Sequence, residues 1–348
     1  MKAWVHTRVG LPSDVLSLST IPTPSISSPN QVLIRISHCA LNPGASITMQ
    51  LLPFYFRKSP AIPEMDFSGT VVQCGSQVLA DRALKPGTYV FGSIPVSQHV
   101  RLTCGALAEY VVVEHTSVVR KPSDAKLEEV AGLGIAGATA LDLIKAAKLK
   151  KGDSVLVNGA SGGIGHFAVQ MCREAVGETG KVVAICSSNN VPWVKLLGCN
   201  EVIDYAQNSP VHKYLAKEYS ATRFDVVIDA VGVQEIFNNC PAFLAEKKPY
   251  VSVGPRPNNY TVLSMLTILG SMAKNFLWPK LFGGVPRPYM QAASVSDYTT
   301  LLELGKLVEE RKLKAVVGML VKMEDAQKAY QQLLSGHTKG KVVVQVQQ

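Results

Sequence analysis

The stretch VLVNGASGGIGHFAVQ, Val155 to Gln170, constrains this 348-residue chain more than any other. The apolar run within 154–158, bounded by turn formers, reads as a buried strand. From Ile164 onward, Ile164, Phe167, Ala168 and Met171 recur at helical spacing, so a helix follows. Between them Gly159, Gly162 and Gly165 stand three apart. Counted from Ala160 the pattern is A-x-G-x-x-G, and it has the strand–turn–helix context that a dinucleotide site requires. The requirement is steric and electrostatic. Gly162 lets the backbone approach a pyrophosphate, Gly165 lets the helix pack close on the strand, and the helix N-terminus offers free N–H groups to the anion. Ser161, Gly162, Gly163, Ile164 and Gly165 are therefore candidate cofactor-binding residues.

The next strand and its exit, KVVAICSSNN, bear on which nucleotide is held. A protein that binds NAD usually places Asp or Glu about 20 residues past the glycines, on the ribose 2′-OH. Here the positions are Cys186, Ser187, Ser188, Asn189 and Asn190, with hydroxyls and amides in place of a carboxylate. Ser187, Ser188 and Asn190 are candidates to meet a 2′-phosphate, so the expected cofactor is NADPH rather than NADH.

At 47% hydrophobic and 18% charged, the chain can bury a sizeable core, and its length predicts two domains. Seven cysteines with no C-x-x-C pair point to reduced thiols in a cytoplasmic setting. MKAWVHTRVG reads as the start of a strand rather than as a signal peptide. The net charge of +9 is spread in pairs such as Lys150–Lys151 and Lys247–Lys248. It reads as a solvated surface that attracts a phosphorylated cofactor, not as a nucleic-acid site.

Up to about Arg120 the sequence is strand-rich, and a helical pattern begins at Ser123, a good N-cap. Strands are then expected at 154–158, 181–186, 201–204, 224–229 and 250–253, with helices between. Such alternation implies a parallel sheet covered on both faces. After Asp297 come helix, strand, helix and strand, a tail expected to return to the first domain.

The motifs resemble, in order and spacing, the medium-chain dehydrogenase/reductase superfamily, in its zinc-free branch of quinone oxidoreductase-like and enoyl reductase-like proteins. They are ALNPG (40–44), PEMDFSGTVVQCGS (63–76), GALAEYVVV (105–113), GATALDLI (137–144), EVIDY (201–205), FDVVIDAVG (224–232) and GKVVV (340–344), together with the glycine turn. The resemblance implies an α/β protein in which a GroES-like, β-rich substrate domain is interrupted by a Rossmann domain, a doubly wound parallel sheet. The expected divisions are 1–121 and 296–348 for the substrate domain and 122–295 for the NADPH-binding domain, with the active site in the cleft between them. It further implies that Thr139 reaches the nicotinamide end, that Tyr205 sits against the adenosine phosphate, that Gly232, Val253 and Gly254 flank the nicotinamide, and that Lys341 and Val342 close over the cofactor. Many NADPH-using relatives carry Arg or Lys where this chain has Ser188–Asn189, and Lys195 offers a charge one turn on.

A catalytic zinc takes three protein ligands from Cys, His and carboxylates. The matching places here are Asn42 and the pair Met65–Asp66, without a His, and Cys104 is the one cysteine in the region of the structural-zinc lobe. No metal is expected. For the pair His38–Cys39, strand alternation predicts a core Cys and a rim His. The reaction that fits is hydride addition to the β-carbon of an enone or enoyl thioester, or to a quinone, with donors aimed at the enolate oxygen and a proton for the α-carbon. The Asn42 amide and the Tyr55 phenol are the candidate catalytic groups, with water as the alternative proton source. Related reductases carry a Tyr nearer the N-P motif, where this chain has Pro53, and an acid where it has Ala45.

The apolar tract from Tyr260 to Ala292 is interrupted by Lys274 and Pro279, so it is too short to span a membrane. A dimer face, a lid over an apolar pocket and a peripheral membrane contact are its three readings. The expected partner is an apolar, polyketide-like small molecule, and the chain is a homodimer or a monomer. The competing functional class is a non-redox protein that keeps NADPH as a structural or sensing ligand and binds an apolar partner.

Overall fold

Val155, Leu156 and Val157 are wholly buried, as are Val182, Val183 and Ala184 on the next strand and Val227 and Ile228 further on. Strands that are apolar on both faces need cover on both, which a parallel sheet with crossover helices supplies. In the computed structural model, which describes residues 1–78, 82–256, 259, 261–278, 282–292 and 296–347, six parallel strands form that sheet. Their order is Glu201–Asp204, Lys181–Cys186, Ser154–Asn158, Val226–Asp229, Tyr250–Ser252, Tyr289–Gln291. In chain order this is 3-2-1-4-5-6, the doubly wound arrangement. The helix Gly165–Val176 buries Phe167, Ala168, Val169, Met171, Cys172 and Val176. On this sheet Phe224, Phe237, Phe243 and Tyr250 pack with Leu156, Val183 and Ile185.

Where the strand order reverses, between Ser154–Asn158 and Val226–Asp229, the buried Asp229 accepts five hydrogen bonds. They come from Asn158 Nδ2 (2.8 Å), the amides of Val231 (3.0 Å), Gly232 (2.9 Å) and Val233 (2.8 Å), and Tyr250 Oη (2.7 Å). Burial, and then the nearby Asp229 to which it donates, push the Tyr250 phenol up.

A second sheet has seven strands. Gln31–Ala40 lies at its centre, antiparallel to Asp66–Cys74 along one edge. Its other edge is shared by Tyr110–Glu114 and by Lys341–Gln345, near the end of the chain. Val317–Lys322 runs parallel to Lys341–Gln345, while Tyr89–Ser93 and Val118–Arg120 extend the far side. Met323, Ala326, Ala329 and Tyr330 from the tail share one core with Trp4, Ile34, Ile36 and Phe67, and Trp4 Nε1 donates to Met323 O at 2.7 Å.

The chain forms two compact units, Met1–Ala138 with Val295–Gln348, and Thr139–Ser294. The first division falls later than the expected 121/122. Segment 122–138 stays with the antiparallel unit because Leu133–Gly137 packs on the strands Asp66–Cys74 and Tyr89–Ser93. Gly134 is so close that a Cβ there would lie 2.3 Å from Asp66 Oδ1. The expected division at 295/296 and the break at Pro279 lie outside the described residues.

Other details differ from the sequence expectation. Ser123 caps no helix, since the short helix Leu127–Val130 starts later with Lys126 before it. The helix Pro43–Leu51 was not expected, although Pro at its first position is a start signal. His38 is buried along with Cys39, because its strand is central and a bulge between Ile36 and His38 breaks the simple alternation. Burial pushes the His38 imidazole below its usual range. The apolar tract contributes the helix Val262–Leu277, capped by Thr261 Oγ1 accepting from Ser264 N. Leu263, Leu266, Leu269 and Leu277 on it are exposed. No helix among the described residues is long and apolar enough to cross a membrane.

Asp229→Ala would leave buried donors from two neighbouring strands and a turn without their acceptor. We expect a loss of at least about 3 kcal/mol in the stability of the parallel-sheet unit, measured by denaturant unfolding. A loss below about 1 kcal/mol would mean that water re-pairs those donors.

Candidate active site

The glycine turn satisfies a steric test for an anion cradle. A Cβ on Gly165 would lie 2.0 Å from Gly159 O, so the helix start is pressed against the strand end. At Gly162 the only atom within 4 Å of such a Cβ is Gly159 O, at 3.4 Å, and the space above the turn is open. Gly162 N donates back to Gly159 O (3.0 Å), while the amides of Ser161, Gly163 and Ile164 make no backbone hydrogen bond among the described residues. Free amides at the start of a twelve-residue helix suit a pyrophosphate.

At the exit of Lys181–Cys186 the polar residues largely bond one another. Ser187 Oγ accepts from Asn190 Nδ2 (2.9 Å), and Asn190 Oδ1 accepts from Trp193 Nε1 (2.9 Å). The Ser187 hydroxyl proton and one Asn190 N–H are left to donate. The Ser188 hydroxyl faces Asp204, at the end of the neighbouring strand, and is the main cause holding that carboxyl below its usual range. Asp204 also accepts from Ala206 N at 2.9 Å, and its Oδ2 is buried without a partner. The expectation that no carboxylate stands near this loop is thus corrected: the adjacent strand supplies one. Tyr205 is exposed, with its amide tied to Cys186 O at 3.1 Å, and Lys195 is exposed on the short helix that follows.

The ends of the next two strands are in close apposition. Gly232 has φ +85°, and a Cβ there would lie 1.8 Å from Gly254 O. Arg256 N donates to Gly232 O (3.0 Å), and Val253 N donates to Asp229 O (3.1 Å). Gly232, Val253 and Gly254 therefore share one rim of the sheet. Thr139 is buried near the start of the helix Ala138–Ala147.

In the antiparallel unit the structure brings Asn42 and Lys341 together. Lys341 Nζ donates to Asn42 Oδ1 (2.7 Å) and Leu41 O (3.1 Å). Asn42 Nδ2 donates to Asp66 Oδ2 (2.9 Å) and Ala40 O (3.3 Å). Asp66 further accepts from Ile135 N at 2.9 Å and 3.0 Å, and from Ser93. Burial raises the Asp66 carboxyl, opposed first by Lys341. Burial lowers the Lys341 ammonium, opposed first by Asp66. Two expectations change. Both amide protons of Asn42 are engaged inside the protein, so neither is available to a substrate oxygen. Lys341 is turned into this cluster, and Val342 is buried with its carbonyl accepting from Leu41 N (2.9 Å).

Tyr55 does not join them. It is 96% exposed on the short turn Phe54–Phe56. The neighbouring Phe54 makes the turn's ring contacts, to His6 (centroids 5.2 Å apart) and to the Arg57 guanidinium (4.2 Å). The phenol is thus not held where a proton donor must be. Among the described residues no three His, Cys, Asp or Glu side chains gather as a metal-binding group. Sequence reasoning passed over Glu64, Asp204 and Asp229. The available signal was a carboxylate inside an apolar run, in AIPEMDF, EVID and VVIDAVG.

The glycine turn yields a paired test. Gly165→Ala should cost about 1–3 kcal/mol of stability by overpacking, read by thermal unfolding. Gly162→Ala should leave the fold intact and weaken dinucleotide binding by about tenfold, or 1.4 kcal/mol, read by fluorescence titration. The reverse pattern would make the turn structural only.

Comparison with known proteins agrees with this geometry. Residues 28–123 match the alcohol dehydrogenase GroES-like domain and residues 197–344 the zinc-binding dehydrogenase domain. A trans-enoyl reductase of Penicillium oxalicum is 31% identical over 380 residues, covering 100% of this chain and 98% of that protein. A chloroplast envelope quinone oxidoreductase homolog of Arabidopsis thaliana is 32% identical over 334 residues, covering 93% and 92%. The solved quinone oxidoreductase of Coxiella burnetii superposes with a TM-score of 0.77 at 28% identity, over 100% of this chain and 99% of that one. The chain therefore belongs to the medium-chain dehydrogenase/reductase superfamily, as an oxidoreductase.

Proposed function

We propose that the protein is an NADPH-dependent, zinc-independent reductase of an activated C=C bond, in an enone or enoyl thioester, or of a quinone, acting on an apolar substrate of secondary metabolism. The observation that carries this reading is the end-to-end likeness to the Penicillium trans-enoyl reductase. The cofactor, when bound, supplies a hydride to the β-carbon of the conjugated acceptor. This chain's residues do the rest. The free amides of Ser161, Gly163 and Ile164 hold the pyrophosphate, and the Ser187 hydroxyl with the spare Asn190 N–H meets the 2′-phosphate. Gly232, Val253, Gly254 and Thr139 border the nicotinamide. Water supplies the α-carbon proton, since Tyr55 is solvent-exposed and the Asn42 amide is engaged.

Incubation with a panel of enones, enoyl thioesters and quinones, followed by NADPH absorbance, should give stoichiometric oxidation that a chelator does not diminish. Activity lost to the chelator and restored by zinc would overturn the metal-free part. Tight cofactor binding without turnover of any acceptor would favour a non-redox ligand-binding role.

Ser187→Asp tests the cofactor. Two unit charges about 4 Å apart repel by about 4 kcal/mol at an effective dielectric near 20, and solvent relaxes much of this. NADPH affinity should fall by about 10²-fold, while NADH, with a 2′-OH the new carboxylate can accept from, should hold or improve. Equal weakening of both would mean a disrupted loop. If wild type already prefers NADH, the Asp204 carboxylate beside Ser188 decides the specificity instead.

A further inference from the structure

Glu64 combines two features that folding alone disfavours. Its backbone is left-handed, with φ +69°, in a residue type that gains nothing from that conformation. Its carboxyl is wholly buried. Outliers of this kind persist where the surroundings over-determine them, and they concentrate at functional sites. The surroundings here are specific. Oε2 accepts from the backbone amide of Asn42 at 2.9 Å, and Oε1 is hydrogen-bonded at 2.7 Å to the buried Tyr330 hydroxyl, which donates to the carboxylate and accepts from the protonated acid. Glu64 thereby grips the residue whose side chain carries the Lys341 ammonium.

The charges facing this site do not balance if all are ionised. Asp66 and Glu64 would bring two negative charges against the single Lys341, in a cluster closed to water. The Cys39 thiol and the Tyr330 phenol also face it, and burial pushes both up, so both stay neutral. One carboxyl must then hold a proton. Asp66 has Lys341 as its strongest opposing influence, together with bonds from Ile135, Asn42 and Ser93. Glu64 has two donors, with Lys341 a weaker influence behind them, and burial pushes it up to about 8.

We propose that Glu64 is a positioning residue for the Asn42–Lys341 pair, a neutral acid at physiological pH that fixes the Asn42 backbone and leaves Asp66 as the ionised counter-charge of Lys341. Lys341 has three donors, of which Asn42 Oδ1 and Leu41 O take two. Ionising Glu64 adds a second anion that draws the ammonium off Asn42 Oδ1. The arrangement then holds below about pH 8 and fails above it.

The test needs no reaction and uses the full chain. The folded state keeps a proton that the unfolded chain releases near 4.5. Stability from this group is therefore complete below that value and lost as pH rises to about 8. Because the glutamine cannot ionise, thermal unfolding should show Glu64→Gln gaining stability relative to wild type as pH rises across this window. A difference that does not vary with pH overturns the proposal. Glu64→Ala, in which the buried Asn42 N–H loses its acceptor, should lower stability by about 1–3 kcal/mol whatever the pH. If that variant does not fold, the glutamine variant carries the test, because its carboxamide can still accept from Asn42 N but cannot ionise.

Discussion

The Asp229 carboxylate ties together three neighbouring strands. It takes Asn158 from one side, Tyr250 from the other and three amides from its own turn. It stands where the chain, having laid strands outward in one direction, returns to lay them in the other. In open parallel sheets this reversal is where ligands bind. A buried acceptor with its donors satisfied leaves the strand ends no freedom to splay. The glycine turn at 159–165 and the paired glycines 232 and 254 inherit their spacing from it. The open side of the turn is thus a consequence of how the sheet is stitched.

The antiparallel unit is organised by a different economy. Its polar centre contains an ammonium and two carboxyls rather than one carboxylate and neutral donors. Buried ions are costly, and well-packed apolar residues of similar size often serve stability as well or better. Retaining such a cluster makes sense where a particular arrangement matters more than the last increment of stability. The cluster draws on Asn42 after the central strand, Glu64 and Asp66 at the start of the next, Tyr330 on a tail helix and Lys341 on a tail strand. It therefore also reports whether these segments have assembled in register.

Much of the parallel sheet was legible because its evidence is local. Apolar runs of strand length alternate with helical spacing, and the glycines between them have steric work that no other residue can do. The return of the tail was legible for a related reason: the alternation of the parallel sheet stops before it. Legibility failed where partners are distant. Asn42 looks like a free amide in ALNPG, and only the fold shows Asp66 and Lys341 taking both of its ends. The phenol of Tyr55 lies near the right motif, yet the turn anchors itself through Phe54 and leaves Tyr55 in solvent. Ser187, Ser188 and Asn190 read as open donors, but a turn can close polar side chains on one another, and Asp204 comes from a strand whose pairing no local pattern announces. Glu64 was passed over because a charged residue between Pro63 and Met65 reads as surface, whereas both its flanks are buried.

The position of Lys341–Gln345 has a consequence for how the protein is made. This strand is not an edge ornament: it lies between Val317–Lys322 and the central strand Gln31–Ala40, and one of its bonds closes across 300 positions of sequence. During synthesis the ribosome must deliver residue 341 before the first unit can seal its sheet, although the amino-terminal strands emerge first. The parallel unit is encoded without interruption and can fold while the tail is still being translated. The amino-terminal part must meanwhile wait with one edge of its sheet partly unpaired, a state prone to association with other chains. Contacts of such sequence separation are slow to form. In vivo yield is therefore expected to depend on the tempo of translation and on chaperone cover for that interval as much as on the stability of the finished fold.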